Sequence, residues 1–340
     1  MGMTRYTPSS GTMELRKAIC DKLLRDNGLR YEPADIIVSN GAKHSLFNVF
    51  QAIIDPGDEV LIPSPCWVSY PEMVRMAGGI PVFVPSLETE AFIPSYDSLA
   101  AHVTQRTKAI VLTSPSNPCG CVWSRGQLQA LAELAVSRQL YVVSDEIYEK
   151  LLYDRIQHVS IAQLGEKIKQ QTLVVNGVSK AFAMTGWRIG YTAGPRDVIT
   201  AMGAFQSQAT SNPNAMAQHA AMVALNSDQT CVCEMVQEFE RRRDAICARI
   251  NAIPGISCRK PQGAFYVMMN IQYILGRSYN GTPITNSMTF AEALLRSKKV
   301  AVVPGVAFEA EGYCRLSYAV SMENIHRGLD RIAAFVAELR

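Results

Sequence analysis

Seven short runs constrain this chain more than anything else in it: "DIIVSNG", "DEVLIPSP", "IPVFVP", "KAIVLTSPSNP", "LYVVSDE", "TLVVNGVSK" and "GYTAGP". Several are apolar on both faces, as strands buried in a parallel sheet are. Helical patterns separate them, over Ala42 to Ile54, near Ser69 to Met76, and over Ser124 to Arg138. Strand-helix alternation of this kind predicts an α/β fold with a mostly parallel, doubly wound sheet between helices. The runs end in polar or Gly/Pro-rich clusters, "SNGAK", "PSPCW", "TSPSNPCG", "SDEIY" and "NGVSK". In an open α/β sheet ligands bind beyond the carboxyl ends of the strands. Five chemistry-bearing loops are therefore expected to converge on one site.

The pattern changes after about residue 225. Glu234 to Ile253 reads as a long helix stopped by Pro254-Gly255, followed by "ISCRK", "GAFYVMMNI", "VAVVPG" and "YCRLSYAV". Ser321 can cap a last helix. This predicts a large domain over residues 1–235 and a smaller α+β domain over 236–340. The polar segment from Gly276 to Asn286 reads as a surface loop.

Composition narrows the function. Hydrophobic residues make up 48% of the 340 and charged ones 19%, and net charge is only +3. That charge gives no reason to expect nucleic acid. The one basic run, Arg241 to Arg243, sits in a helical pattern and reads as a solvated face or a helix-end contact. Nine cysteines are scattered, with C-x-C spacings at Cys119/Cys121 and Cys231/Cys233 rather than the C-x-x-C of zinc sites, and the five histidines form no pair. A metal is not expected, and free thiols suit a reducing cytoplasm. The start shows no basic-then-apolar leader, and no stretch approaches a transmembrane span. A cytoplasmic protein without membrane partners is expected.

The loop ends carry an unusual set of groups. Lys180 follows one strand, Asp145 and Tyr148 another, and Asn117 a third; Trp67, Arg188 and Arg315 complete the set. Singly, each has an ordinary explanation as a cap, a core ring or an ion pair. Together they match the needs of pyridoxal 5'-phosphate. Its aldehyde wants a lysine amine, and its pyridine nitrogen a carboxylate that keeps it protonated. Its ring hydroxyl wants a phenol and an amide, and its ring face an aromatic platform. Its phosphate wants helix-start amides and a cation. An amino-acid substrate wants an arginine to fork its carboxylate.

The chain resembles the fold-type I pyridoxal-phosphate aminotransferases of class I, and within them the bacterial-type aspartate aminotransferases. The resemblance runs from about Tyr6 to the C-terminus. It rests on "VNGVSKAFAMTGWRIGY", "LTSPSNPCG", "VVSDEIYE", "PSPCWVSYPEM" and "RLSYA". It implies Lys180 as the Schiff-base lysine and proton carrier, with its pKa lowered by burial and nearby cations. It implies Asp145 at the pyridine nitrogen, Tyr148 and Asn117 at the ring oxygen, and Trp67 as the stacking ring. Arg188, Gly41 and Ala42 fall at the phosphate, and Arg315 at the α-carboxylate. Tyr6 resembles the tyrosine that reaches the neighbouring subunit's phosphate, which implies a homodimer.

The activity so implied is transfer of an amino group from an amino acid to a 2-oxo acid, with aspartate and glutamate as donors. Lys43 resembles the lysine that meets the distal carboxylate, a contact worth ~2–5 kcal/mol when one partner of a buried pair is removed. Aromatic, prephenate, glutamine or branched-chain specificity, or a carbon-sulfur lyase, are the alternatives within the family. A catalytically weak effector-binding domain is the alternative outside enzymes. Three departures stand out. Gly177 occupies the position where many relatives have a phosphate-binding serine, so Ser179 or backbone is expected to substitute. Cys119 replaces a common threonine and is read as neutral. Relatives begin several dozen residues earlier, with an arm and a segment over the substrate. Without them cofactor binding is expected to survive and turnover to suffer.

Overall fold

The computed structural model describes residues 3–340, and these form an α/β body around one large sheet and a second body around a smaller one. All seven predicted runs are strands: β1 (Ile36–Ser39), β2 (Glu59–Ser64), β3 (Ile80–Pro85), β4 (Thr107–Thr113), β5 (Tyr141–Asp145), β6 (Thr172–Gly177) and β7 (Gly190–Ala193). Their order in the large sheet is β1-β7-β6-β5-β4-β2-β3. The pairs from β3 through β6 are parallel, and β7 lies antiparallel to both β6 and β1. Six strands thus share one direction, and their carboxyl ends open at one edge.

Alternation within each strand explains the layers. Val111, Val143 and Val175 pack on one face with Leu46, Phe50, Met73 and Met202. Their neighbours Ile110, Leu112 and Val142 pack on the other face with Leu128, Leu131 and Leu134. Successive side chains point to opposite faces, so a strand covered on both sides has to be apolar throughout. Burying each such side chain contributes ~1.5–3 kcal/mol.

Helix α1 (Met13–Asn27) begins at Thr12, whose hydroxyl accepts from Leu15 N, and ends at Gly28 with φ 64°. It buries Leu15, Ile19 and Leu23 against Val38, Val174 and Tyr191. Helices α2 (Ala42–Ile53) and α3 (Ser69–Met76) start at the sheet edge where β1 and β2 end. The helix predicted to begin at Ser124 runs Arg125–Arg138, with Ser124 as its cap.

The long helix runs Thr230–Asn251, four residues earlier at its start and two shorter at its end than the pattern suggests. Asp228 accepts from Thr230 N and Oγ1 and sets the earlier start. The second sheet has the order β12-β13-β9-β8. It is built from β8 (Ser257–Cys258), β9 (Tyr266–Asn270), β12 (Val303–Pro304) and β13 (Tyr313–Ser317). The helix Met322–Ala337, capped by Ser321, covers it through Ile325, Leu329, Ile332 and Phe335.

Two expectations need correction. The segment Gly276–Asn286 contains a small hairpin, β10 (Ser278–Tyr279) with β11 (Thr282–Pro283). Ile284 is buried behind it and the Tyr279 ring stacks on Phe335 at 4.7 Å. One aromatic and one isoleucine among polar residues were enough to dock it. The basic run is not a uniformly solvated face. Arg241 is exposed, but Arg243 is fully buried. Arg243 pairs with Asp154 at 2.7 Å and Asp244 at 2.8 Å, donates to Pro261 O at 3.2 Å, and lies 4.7 Å over the Tyr153 ring. It ties the long helix to the loop after β5 and to the strand entry at Pro261. Arg243→Ala should lower unfolding stability by roughly 2–4 kcal/mol, through lost pairing and an unfilled site. A urea midpoint measurement checks this; Arg241→Ala should shift the midpoint by less than about 0.5 kcal/mol equivalent.

Candidate active site

The edge where the parallel strands end holds a cleft of about 750 Å³, its open mouth included. It is lined by Ala42 and Lys43 from the start of α2, Trp67 and Tyr70 from the β2–α3 connection, and Thr113 and Asn117 after β4. Asp145, Ile147 and Tyr148 follow from β5, Ser179, Lys180, Thr185 and Arg188 from the β6–β7 connection, and Tyr266 from the second sheet. All five predicted loop ends reach it.

Asp145 ends β5 at the centre of the sheet and is buried. Tyr70 Oη donates to its Oδ2 at 2.7 Å, and Ile147 N donates to Oδ1 at 3.2 Å. Burial pushes this carboxyl up to about 6, against the lowering effect of Tyr70 and the Ile147 amide; Glu146 adds to the rise and Lys180 opposes it. Tyr148 is buried beside Tyr266, the two hydroxyls 3.0 Å apart. Burial also raises the Tyr148 phenol well above its ordinary range.

Lys180 is half-buried and lies 5.8 Å from the Tyr148 ring centre and 5.5 Å from that of Phe265. Burial lowers its pKa, and Arg188 and Arg315 lower it further while Asp145 pulls the other way. Arg315, on β13, donates through Nη1 to Asn117 Oδ1 at 2.7 Å, and its guanidinium stacks between Tyr266 at 4.3 Å and Phe308 at 4.7 Å. Its Nε is buried with no hydrogen-bond partner among the described residues. The second sheet thus meets the cleft through Tyr266, which lines it, and through Arg315, whose guanidinium lies over that ring.

At the other end of the cleft, Arg188 takes φ 55° and donates to Thr185 O at 2.9 Å and Asn40 O at 3.3 Å. Gly41 caps α2 with φ 91°, and a Cβ there would collide with the Arg188 guanidinium. A Cβ at Gly190 would strike Ala42 N, so this glycine lets the start of α2 press against β7. Gly177 is closed to a serine: a Cβ would stand 2.8 Å from Ile189 O and 2.9 Å from Gly190 Cα. Ser179, two residues on, faces the cleft instead. Lys43 is exposed at the rim, 4.8 Å from the Trp67 ring centre. Tyr6 is 90% exposed and does not line the cleft of its own chain. Cys119 is buried outside the cleft lining, its thiol raised well above the usual range by burial.

Sequence reasoning missed Tyr70, Thr113 and Tyr266. Tyr70 could have been found, because it lies three residues after Trp67 at a helix start and so shares its side. Tyr266 comes from the second sheet, and no spacing in the sequence reveals that approach.

The family profile "Aminotransferase class I and II" matches residues 1–332. An "Aspartate aminotransferase" of Geobacillus stearothermophilus is 47% identical over 335 residues, covering 98% of this chain and 84% of the relative. An "Aspartate/prephenate aminotransferase" of Thermus thermophilus is 47% identical over 335 residues, covering 98% and 83%. The crystal structure of the aspartate aminotransferase from Rhizobium meliloti superposes with a TM-score of 0.97 at 44% identity, covering 100% of this chain and 85% of that one. An aromatic aminotransferase from Pyrococcus horikoshii superposes with a TM-score of 0.94 at 39% identity, covering 99% and 89%.

The buried carboxyl generates a stability prediction. Because Asp145 binds its proton more tightly in the folded chain than in the unfolded one, stability falls as pH rises from about 4 through about 6. The cost is complete at neutral pH. Asp145→Asn should therefore stabilise the cofactor-free protein at pH 7 by on the order of 2–3 kcal/mol and leave it nearly unchanged below pH 4. Denaturant unfolding across that range measures it.

Proposed function

The chain belongs to the class I and II aminotransferase family, and on that premise we propose that its cleft moves the amino group of aspartate or glutamate onto a 2-oxo acid. The family is pyridoxal-phosphate-dependent, and the residues present suit that group. Asp145 is a buried carboxylate with a deficit of donors, suited to a protonated ring nitrogen. Tyr148 and Asn117 offer a phenol and an amide in the same cleft. Trp67 supplies a flat face, and Arg188 with Gly41, Ala42 and Ser179 supplies a cation and polar groups for a phosphate. When bound, the group supplies an electron sink for charge developing at the substrate α-carbon.

The observation that carries the reading is Lys180, the one amine in the cleft whose proton is loosened by both burial and two guanidinium neighbours. A neutral amine at this point can take the proton from the substrate Cα and return it. Arg315, held beside Asn117 and Tyr266 of the cleft lining, presents a guanidinium suited to the substrate's α-carboxylate. In this reading residues 1–235 hold the cofactor, and residues 236–340 bring Arg315 and Tyr266 over it. Tyr6, exposed on the surface, serves the cleft of a second copy in a homodimer.

Aspartate is favoured by Lys43, whose ammonium stands at the rim against Trp67, and by the names of the relatives. Because Lys43 is exposed, its pairing with a distal carboxylate is weaker than a buried pair, about 1 kcal/mol.

Two substitutions test the reading. Lys180→Ala should abolish amino transfer while the fold, followed by circular dichroism, is kept; turnover at the wild-type rate would reject the assignment. Lys43→Ala should raise the KM for aspartate roughly fivefold, as a loss of about 1 kcal/mol requires, and change that for alanine by less than about twofold. Equal losses for both donors would remove Lys43 from substrate recognition. The oxo-acid panel should include prephenate beside oxaloacetate and 2-oxoglutarate.

A further inference from the structure

The turn after β5 faces two ways. Asp145 and Tyr148 line the cleft, while Glu146 and Glu149 turn into the interior behind it, both buried. A buried carboxylate is costly unless paired and hydrogen-bonded, and these two are. Glu146 accepts from Ser144 Oγ at 3.0 Å and Ser160 Oγ at 2.6 Å, and meets His158 Nε2 at 2.9 Å. Glu149 pairs with the buried ammonium of Lys22 and accepts from Asn27 Nδ2 at 3.0 Å. Lys22 also donates to Asn27 Oδ1 at 2.8 Å.

Three separate stretches are thereby joined: α1, the turn, and the loop through Ser160. At the margin Asp26 pairs with Lys150 at 2.8 Å and stands 3.8 Å from Lys22. Burial raises the phenols of Tyr31 and Tyr191 above their ordinary range, and Glu146, joined at Tyr191 by Glu149, raises them further.

The charges balance. Ligand atoms of Glu146, Glu149 and His158 lie within 4.8 Å of one another, the spacing of a cation site, and the Lys22 ammonium is the cation that answers it. Burial works against a charged His158, but Glu146 and Glu149 outweigh it and hold the imidazole above its ordinary pKa. Two carboxylates then face one ammonium and one imidazole biased toward its charged form, whose Nδ1 has no partner among the described residues. Glu146 adjoins Asp145 in the chain, and its negative charge acts against ionisation there. Its pairing with His158 and its two serine donors offsets part of that charge.

We propose that Lys22, Glu149, Glu146 and His158 are positioning residues: a charge-balanced clamp that fixes the turn beneath Asp145 and Tyr148 and shields Asp145 from uncompensated negative charge. This rests on the reading of Asp145 and Lys180 given above. The clamp touches neither substrate nor cofactor, so its signature is electrostatic and has a sign.

The test compares Glu146→Gln, His158→Gln and the double variant as holoenzymes, by pH titration of the visible absorption of bound pyridoxal phosphate. Removing the carboxylate should lower the midpoint by about half a unit to one unit, and removing the imidazolium should raise it by about as much. The double variant should return near wild type. Shifts of one sign, or none, overturn the proposal, because loosened packing does not track charge. Lys22→Met should behave as His158→Gln does, and Lys22→Arg should hold the wild-type midpoint; these decide the matter if the His158 variant does not fold. A second readout needs no cofactor. The stabilisation gained from Asp145→Asn at pH 7 should shrink in the Glu146→Gln background and grow in the His158→Gln background. That pattern without any visible band would keep the clamp and reject the role of Lys180. The opposite pattern would overturn the clamp alone.

Discussion

A carboxylate at the end of a buried strand has lost its water and must be repaid by specific donors or stay protonated. Asp145 is held in that condition by its place at the centre of the sheet, with Tyr70 and one backbone amide as its partners. The rest of the cleft is organised around this deficit. Lys180 opposes the rise in its pKa from across the cleft, and Glu146 adds to it from behind. A group bearing a positive nitrogen beside Asp145 relieves a strain that the folded chain otherwise carries.

The large sheet fixes where these groups stand. With six strands aligned, their carboxyl ends open on the same side, and five of the following connections contribute two to four side chains each. The antiparallel β7 adds what parallel strands cannot. The connection from β6 leaves and returns at the same edge, so one short segment presents Lys180 near its start and Arg188 near its end. Arg315 then enters from the second sheet, its guanidinium over the rings of Tyr266 and Phe308. Amine and guanidinium groups are set close enough to lower the amine's proton affinity, while planar stacking keeps the arginine from swinging away.

Much of this was legible in the sequence, for identifiable reasons. Strands apolar on both faces left little choice but a covered sheet, and polar clusters at their ends marked the site edge. The groups that escaped notice are those whose role depends on contacts distant in sequence. Tyr266 reaches the cleft from β9, and Arg243 is buried by Asp154 and Tyr153 far earlier in the chain. Ile284 and Tyr279 dock a segment whose composition suggested solvent. Glu146 and Glu149 looked like part of a cofactor motif, yet they face the opposite way from Asp145 and Tyr148. Which side of a turn a residue takes is settled by its partners, here Lys22 and His158. Exposure misled in the other direction at Lys43, where an expected buried charge pair is a rim contact.

The reversed strand has a further consequence, for the order in which the chain can be assembled. β6 and β7 pair across a short connection, Gly177 against Gly190, so their contact closes locally. β1 has no such neighbour: Ile36 pairs with Ala193, and α1 packs on the same late-made strands through Val174 and Tyr191. As the polypeptide leaves the ribosome, its first helix and first strand emerge long before the surface that receives them. Until then Leu15, Ile19 and Leu23 have Ile36 and Val38 as partners but lack Val174, Tyr191 and, from the helix Ala215–Asn226, Ala217 and Ala221. These residues are made well before the strands that complete their burial, and an apolar face left half covered in that interval is open to association.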